Sequence, residues 1–374
     1  MKIHLLLSLL YLCFLFPGNI IAQEEGEYVP GEMIIQLKPG INIEKFVQAE
    51  NAVKIAPVKC LVPRMNIWLV SFQDGQKTAR EVLSIFQASK DVLAAQFNHY
   101  ISLRETIPDD PQFEDQWALK NTQQSAGVED ADIDATDAWD ITTGGLTATG
   151  DTIVVAIVDD GFDLTHEDLN FWKNYHEIPD NGIDDDTNGY VDDYDGWNSR
   201  FSNGNIVSQD HGTHVTGIAG AVGNNGKGVS GVNWGVKTLA VLGSSVLEAP
   251  VVEAYGYIYE IRTTYDETNG TKGAFVVATN ASFGVNMGQP EDYPIWGSMY
   301  DSLGQIGILS TGATANNNWN IDEVGDIPTA FPSEYLISVT NTTQYDVKNS
   351  SAAYGLETID LGAPGTGVLS TRWF

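Results

Sequence analysis

The sequence predicts an α/β fold: a doubly wound, mainly parallel sheet with helices on both faces, preceded by a small α+β domain of split βαβ type. Three observations carry this. From about residue 150 onward, the runs 152–158, 236–242, 274–278 and 306–309 are continuously or mostly apolar, as strands buried on both faces are. Helical stretches fall between them, near 211–222, 248–264 and 294–305. Before residue 100 the pattern is different, a short series of elements in the order β-α-β-α-β. In a doubly wound sheet, chemistry collects beyond the carboxyl ends of the strands.

Composition narrows the function. The chain has 374 residues, 43% hydrophobic and 18% charged, enough for two or three domains and a large buried core. Collagen, coiled coil and low-complexity disorder are excluded. Against 19 Lys and Arg stand 50 Asp and Glu, a net charge of −31, so nucleic acid is not an expected partner. Acid-rich loops that bind cations are expected instead. Two cysteines, Cys13 and Cys60, give no disulfide framework.

The elements follow in order. Lys2 precedes the apolar run Leu5 to Phe16, which Pro17-Gly18 breaks and Ala22 follows. That run is shorter than the roughly 20 residues a bilayer span needs, so residues 1–22 read as a secretory signal peptide and the protein as secreted, with no membrane span after its removal. Residues 32–38 read as a strand ended by Pro39-Gly40, 42–50 as a helix and 66–72 as a second clear strand, with room for one more strand at 53–60. Residues 77–90 set Val82, Leu83, Ile85 and Phe86 on one helical face, and a strand near 92–98 follows. Pro108-Asp109-Asp110-Pro111 marks a boundary with the larger domain.

Strand 152–158 ends in Asp159-Asp160-Gly161, a carboxylate placed at the edge of the core. It could orient a histidine, bind a metal or cap a turn. Asp210-His211-Gly212-Thr213-His214 opens a helix rich in small residues, which permit close burial against a sheet. His211 could be a general base, or His211 and His214 could be metal ligands. The zinc-protease pattern His-Glu-x-x-His is absent.

Together, Val-Val-Ala-Ile-Val-Asp159-Asp-Gly-Phe-Asp-Leu-Thr-His166-Glu-Asp168-Leu and His211-Gly-Thr-His-Val-Thr-Gly-Ile-Ala-Gly resemble the aspartate and histidine signatures of the subtilisin-like serine peptidases, in that family's order. Thr279-Asn-Ala-Ser282-Phe283-Gly284 resembles the family's substrate-pairing strand, and Thr311-Gly-Ala-Thr-Ala-Asn316 the segment completing its oxyanion hole. The resemblance covers roughly 108–374 and implies a subtilisin-like fold and hydrolysis of peptide bonds in protein or peptide substrates. It implies that Asp159 orients His211, that His211 moves the nucleophile's proton, and that Asn316 donates to the oxyanion. Ser282, Phe283 and Gly284 would pair with the substrate backbone. Ala315 departs from the family's usual Gly, and Asn317 and Asn318 leave the donor's position open to a slip of one.

The family's nucleophile lies in a Gly-Thr-Ser-Met-Ala-like segment, and no Gly-Thr-Ser occurs in this chain. Ser370 falls where the family has a strand serine. The expectation is therefore a precursor of a secreted serine endopeptidase whose catalytic Ser lies beyond this chain, so that the chain by itself is inactive. The alternative is a non-enzymatic pseudoprotease, a peptide-binding scaffold that keeps the cleft without a nucleophile; a calcium-dependent adhesion module is a weaker rival. The resemblance also implies that residues 23–105 are a propeptide that assists folding and occupies the cleft, leaving 106–374 as the catalytic domain, incomplete at its C-terminus.

Calcium is the expected cofactor, and no organic cofactor is expected. Residues 180–195 hold seven Asp and no Lys or Arg. Within them Asp184, Asp186, Asn188, Tyr190, Asp192 and Asp195 follow the spacing of a calcium loop, with Gly189 at the turn and no flanking helices of an EF-hand. A second site, implied by the resemblance, would use Asp168, Asn225 and Asp110.

Overall fold

The structure, a computed structural model, describes residues 28–73, 77–101 and 105–373. The expected signal peptide at 1–22, Cys13 and residues 102–104 near the expected propeptide junction lie outside the described residues. The described residues divide into two compact units, one on either side of that junction.

The first unit is a four-stranded antiparallel sheet in the order β2-β3-β1-β4, built from β1 (Tyr28–Leu37), β2 (Ile55–Val62), β3 (Ile67–Phe72) and β4 (Val92–His99). Helices α1 (Ile43–Ala49) and α2 (Ala79–Ala88) complete it. The room left at 53–60 is filled by β2, at Ile55–Val62. Alternate residues Met33, Ile35 and Leu37 of β1 are buried, as a sheet with one covered face requires. They join Val70 and Phe72 of β3 and Val82 and Phe86 of α2 in one core. A reciprocal cap starts α2: Thr78 Oγ1 accepts from the Glu81 N–H, and the Glu81 carboxylate accepts from the Thr78 N–H at 2.7 Å.

The second unit holds a seven-stranded sheet in the order β13-β12-β10-β8-β5-β7-β6, with every registered pair parallel. Its strands are β5 (Val154–Asp159), β6 (Trp197–Asn198), β7 (Lys237–Leu242), β8 (Val276–Ala281), β10 (Leu309–Ala313), β12 (Leu336–Thr342) and β13 (Leu361–Pro364). A separate two-stranded ladder pairs β9 (Val285–Asn286) with β11 (Asp326–Ile327). The helices are α3 (Ala135–Trp139), α4 (Asp210–Gly220), α5 (Glu248–Glu267), α6 (Pro294–Gln305) and α7 (Ile321–Val324). On one face of β5, Val154, Ala156 and Val158 pack with Tyr255, Ile258 and Ile261 of α5 and with Trp296 and Tyr300 of α6. On the other, Ile157 packs with Phe162 and Phe171, and Val215 and Ala219 of α4 lie against them. This is the doubly wound arrangement read from the sequence. Strand order reverses at β5, which has β7 on one side and β8 on the other. A crevice for chemistry opens at such a point, beyond the strands' carboxyl ends.

Among the described residues, no helix is long and apolar enough to cross a membrane.

Candidate active site

Asp159 is the last residue of β5, the interior strand at the reversal point. All of the strand but the half-buried Val155 is buried, so its final carboxylate is fixed by the core rather than by a loop. His211 is the second residue of α4, and that helix comes unusually close to β5. A Cβ on Gly212 would stand 2.2 Å from the Gly161 carbonyl oxygen and 3.0 Å from Asp159 Cβ, so only glycine permits this approach. The small residues noted in the sequence thus serve to bring the histidine to the carboxylate.

The two side chains meet. His211 Nδ1 donates to Asp159 Oδ1 at 2.7 Å. The Asp160 N–H donates to the same oxygen at 2.8 Å. The Asp159 side chain is 2% exposed and the His211 side chain 56%, so a fixed acid holds a reachable base. Asp159 Oδ2 is buried and has no hydrogen-bond partner among the described residues. The hydrogen bond to Asp159 raises the His211 pKa above the ordinary imidazole value, and burial opposes it only in part. Asp160, whose Oδ1 accepts from the Gly212 N–H at 3.2 Å, has its carboxyl pushed up by burial. Burial moves His214 the other way, lowering its pKa. Among the described residues His214 joins no group of three metal-capable side chains; the group that contains His211 is completed by Asp159 and Asp160.

A cleft of about 280 Å³ opens beside His211. Ser282, Phe283 and Gly284 form one wall, continuing from β8. Ala313 to Asn317 form the other, continuing from β10, the strand paired with β8. Asn316 is therefore on the same cleft as the dyad, and exposed. Ala315, where a glycine is usual in the resembled family, is buried, and its N–H donates to Asp326 Oδ2 at 2.9 Å. Asp326 lines the cleft too, and no local sequence signal singled it out. Ser370 is committed elsewhere: its hydroxyl donates to the His214 carbonyl at 2.7 Å, which ties the residue to the backbone of α4.

The acidic loop folds around its own carboxylates. Asp184 accepts from the Asn188 and Gly189 N–H groups, and Asp186 from the Asn188 N–H and from Asn174 Nδ2. Their oxygens come within 4.8 Å of those of Glu177, a residue the spacing argument missed because it precedes the acidic run. Glu177 also accepts from the N–H groups of Asp185, Asp186 and Asp192. The other expected ligands do not join that group: Asn188 donates through its side chain to Asp193, Asp192 accepts from the Asn181 and Gly182 N–H groups, and Asp195 pairs with Lys173 at 2.5 Å. The Tyr190 ring packs edge-on against Trp197. Burial pushes the fully buried Asp193 up to about 7. At the second expected site, Asn225 Nδ2 donates to Asp168 Oδ1 at 2.8 Å, and Asp110 accepts from the Asn224 and Asn225 N–H groups and the Ser230 hydroxyl. The three residues are brought to one place. Burial raises the Asp168 carboxyl.

Comparison with known proteins decides the family. The model of the subtilase family matches residues 150–373, and that of the fervidolysin N-terminal prodomain matches residues 17–98. The chain belongs to the subtilase family. Among curated subtilases, the thermophilic serine proteinase of Bacillus sp. (strain AK1) is 27% identical over 361 residues, covering 94% of this chain and 73% of that protein. Subtilisin-like protease 1 of Plasmodium berghei (strain Anka) is 29% identical over 243 residues, covering 59% of this chain and 38% of the relative. The chain thus spans about two fifths of the Plasmodium subtilase it matches. Among solved structures, fervidolysin from Fervidobacterium pennivorans, described as a keratinolytic enzyme related to subtilisin, aligns with 94% of this chain and 49% of its own at 20% identity and a TM-score of 0.40. In this subtilase the region matched by the prodomain model takes in the N-terminal four-stranded sheet except for His99, the last residue of β4.

Proposed function

We propose that this subtilase chain carries the acid, the base and the substrate cleft of a secreted serine endopeptidase precursor, whose nucleophilic serine is supplied by sequence outside these residues. One observation carries the reading: the 2.7 Å bond between Asp159 and His211 beside a two-walled cleft at the sheet's reversal point. In the proposed mechanism, Asp159 holds the Nδ1–H tautomer, leaving Nε2 free to accept the serine's proton. The buried carboxylate then stabilises the imidazolium, which returns the proton to the leaving amine. The Asn316 side-chain amide donates to the oxyanion, and a donor in that role is worth about 3 kcal/mol of transition-state stabilisation. Ser282 to Gly284 take the substrate as an added strand. Residues 1–22 act as a secretory signal and 23–105 as a propeptide.

Calcium is proposed as a structural ion. Glu177, Asp184 and Asp186 would hold it at the acidic loop, since hard carboxylate oxygens suit this cation. Asp168, Asn225 and Asp110 are the candidates for a second ion. Bound there, calcium would offset the mutual repulsion of the loop's carboxylates.

The test begins with the coding sequence past Phe374, where a Gly-Thr-Ser-x-Ala-like segment is expected. The complete protein should label with a serine-directed fluorophosphonate and hydrolyse peptides, and His211→Ala should lose both. Retained turnover in His211→Ala contradicts the assignment of the base. The rival reading is a peptide-binding pseudoprotease; full-length protein that binds peptides but neither labels nor cleaves them would support it.

A further inference from the structure

We infer that an open cavity between α5 and the turn at Gly189 to Val191 binds a linear organic dication, a diamine of the polyamine class. The cavity shares no lining residue with the catalytic cleft, and the inference does not depend on the hydrolase reading.

The cavity measures about 470 Å³ and is lined by that turn, by Trp197 and Ser202, and by Glu253 and Glu260 of α5. Its aromatic side is held in place. The Tyr190 ring meets Trp197 and Tyr257 edge-on, each with 4.8 Å between centroids, and Trp197 stacks on Tyr257 at 6.1 Å. Trp197 and Tyr257 are buried, whereas Tyr190 is half-buried and leaves part of its ring open. Trp197 Nε1 donates to Glu253 Oε1 at 2.9 Å, and Ser202 Oγ donates to Glu253 Oε2 at 3.1 Å. The carboxylate is thereby fixed beside the rings.

Residues 253, 256 and 260 recur at helical spacing and lie along one face of α5. Gly256 therefore stands between the two acids, in the interior of a 20-residue helix. Glycine there costs about 1 kcal/mol relative to alanine. A Cβ on Gly256 would meet only the Tyr190 hydroxyl, at 3.8 Å, which is an ordinary contact. No clash calls for the glycine; its missing side chain leaves room for a ligand between the acids.

Glu253 and Glu260 are seven residues apart, about 10.5 Å along the helix axis. That separation is too wide for one metal ion, and among the described residues neither belongs to a group of three metal-capable side chains. Among the described residues no Lys, Arg or His forms an ion pair with either. Two separated carboxylates beside aromatic rings suit an organic cation, because ring faces attract ammonium groups. An ammonium bonds a carboxylate at about 2.8 Å. One such bond at each end leaves about 5 Å between the two heads, the span of a short alkyl chain lying over Gly256.

The test uses the full chain with excess calcium, which competes for the carboxylates around Glu177. Salt at about 0.15 M screens diffuse attraction to the chain's charge of −31 beyond about 8 Å. Putrescine should shift the indole N–H resonance of Trp197, assigned by its loss in Trp197→Phe, along a saturating curve. Butylamine, with one head, should bind at least about ten-fold more weakly, the effect of one lost charge-assisted bond. Glu260→Gln should weaken putrescine by the same factor or more. Gly256→Leu keeps every charge and installs a good helix former, so it should stay folded and lose the saturable shift. A Trp197 signal that does not saturate, equal affinity for the two amines, or a Gly256→Leu variant that binds like the parent overturns the inference. The readout is binding, so a complete protein that fails to label with fluorophosphonate would retire the hydrolase and leave this site standing.

Discussion

Gly212→Ala should open the Asp159–His211 pair while leaving the fold intact. The added Cβ would lie 2.2 Å from the Gly161 oxygen, 3.0 Å from Asp159 Cβ and 3.1 Å from Phe162 Cε1. Close carbon–oxygen contacts in proteins lie near about 3.3 Å, so the start of α4 must retreat by about 1 Å. Added to the present 2.7 Å, that retreat sets Nδ1 and Oδ1 about 3.7 Å apart, beyond the hydrogen-bond range of about 3.2 Å. Overpacking of this kind costs about 1–3 kcal/mol. Replacing glycine by alanine in a helix returns about 1 kcal/mol, so the net loss is about 0–2 kcal/mol. The melting temperature should fall by no more than about 8 °C for a domain of this size. The decisive assay is NMR titration of the His211 ring, assigned by its disappearance in His211→Ala. Its midpoint should fall toward the ordinary value of about 6.5. If the proposed endopeptidase is active, its turnover should fall about 100-fold, the usual penalty for a 1 Å misplacement. A variant that titrates and turns over like the parent would show that the close approach of α4 does not hold the dyad.

Two further outcomes follow from the same contacts. Asp159→Asn should lower the His211 midpoint, because the hydrogen bond that raises it loses its charge. With a raised folded-state pKa, the pair's contribution to stability is complete below about pH 6.5 and is lost as the pH rises through the folded-state midpoint. The pH-dependent part of the stability difference between parent and variant should therefore vanish at alkaline pH, and urea unfolding across the range checks it; a difference that grows with pH contradicts the pairing. Removing calcium with a chelator should lower the melting temperature by about 5–10 °C if the ion is present at about 100 times its Kd. Calcium, but not magnesium, should restore it, and Glu177→Gln combined with Asp184→Asn should abolish the response. An unchanged melting curve would remove the calcium proposal.

The parts legible in the sequence are those where one short segment contains both the structural pattern and the chemistry. The run Val154 to Asp159 announces a buried strand and ends in its own carboxylate. The segment from Asp210 to Gly220 announces a helix that can be packed closely and opens with its own histidine. Each half of the dyad could thus be found separately, and the fold's reversal at β5 places the halves together. The calcium-loop spacing carried less, because a spacing rule assumes the backbone of an EF-hand. Here the loop turns its N–H groups onto Asp184 and Asp186 and draws in Glu177 from outside the run.

Asp326 marks the limit most clearly. Its strand has two residues, too short to show any periodicity, and its partner Asn286 lies 40 positions upstream in a strand equally short. Nothing local distinguishes it from the other acidic residues of the chain. Its character comes from three tertiary contacts: the Ala315 N–H, the Thr329 hydroxyl, and the pressure of Gly284 on the adjoining carbonyl. The Ala315 contact also joins the β9–β11 ladder to the wall that carries Asn316. If Asn316 donates to the oxyanion as proposed, Asp326 sets the position of that donor. Asp326→Asn keeps an amide oxygen for both donors and should leave kcat near the parent's. Asp326→Ala leaves the buried Ala315 N–H unpaired, at a cost of about 1–3 kcal/mol, and should lower kcat more than it raises KM. An unchanged kcat in Asp326→Ala would show that the wall keeps its position without this contact.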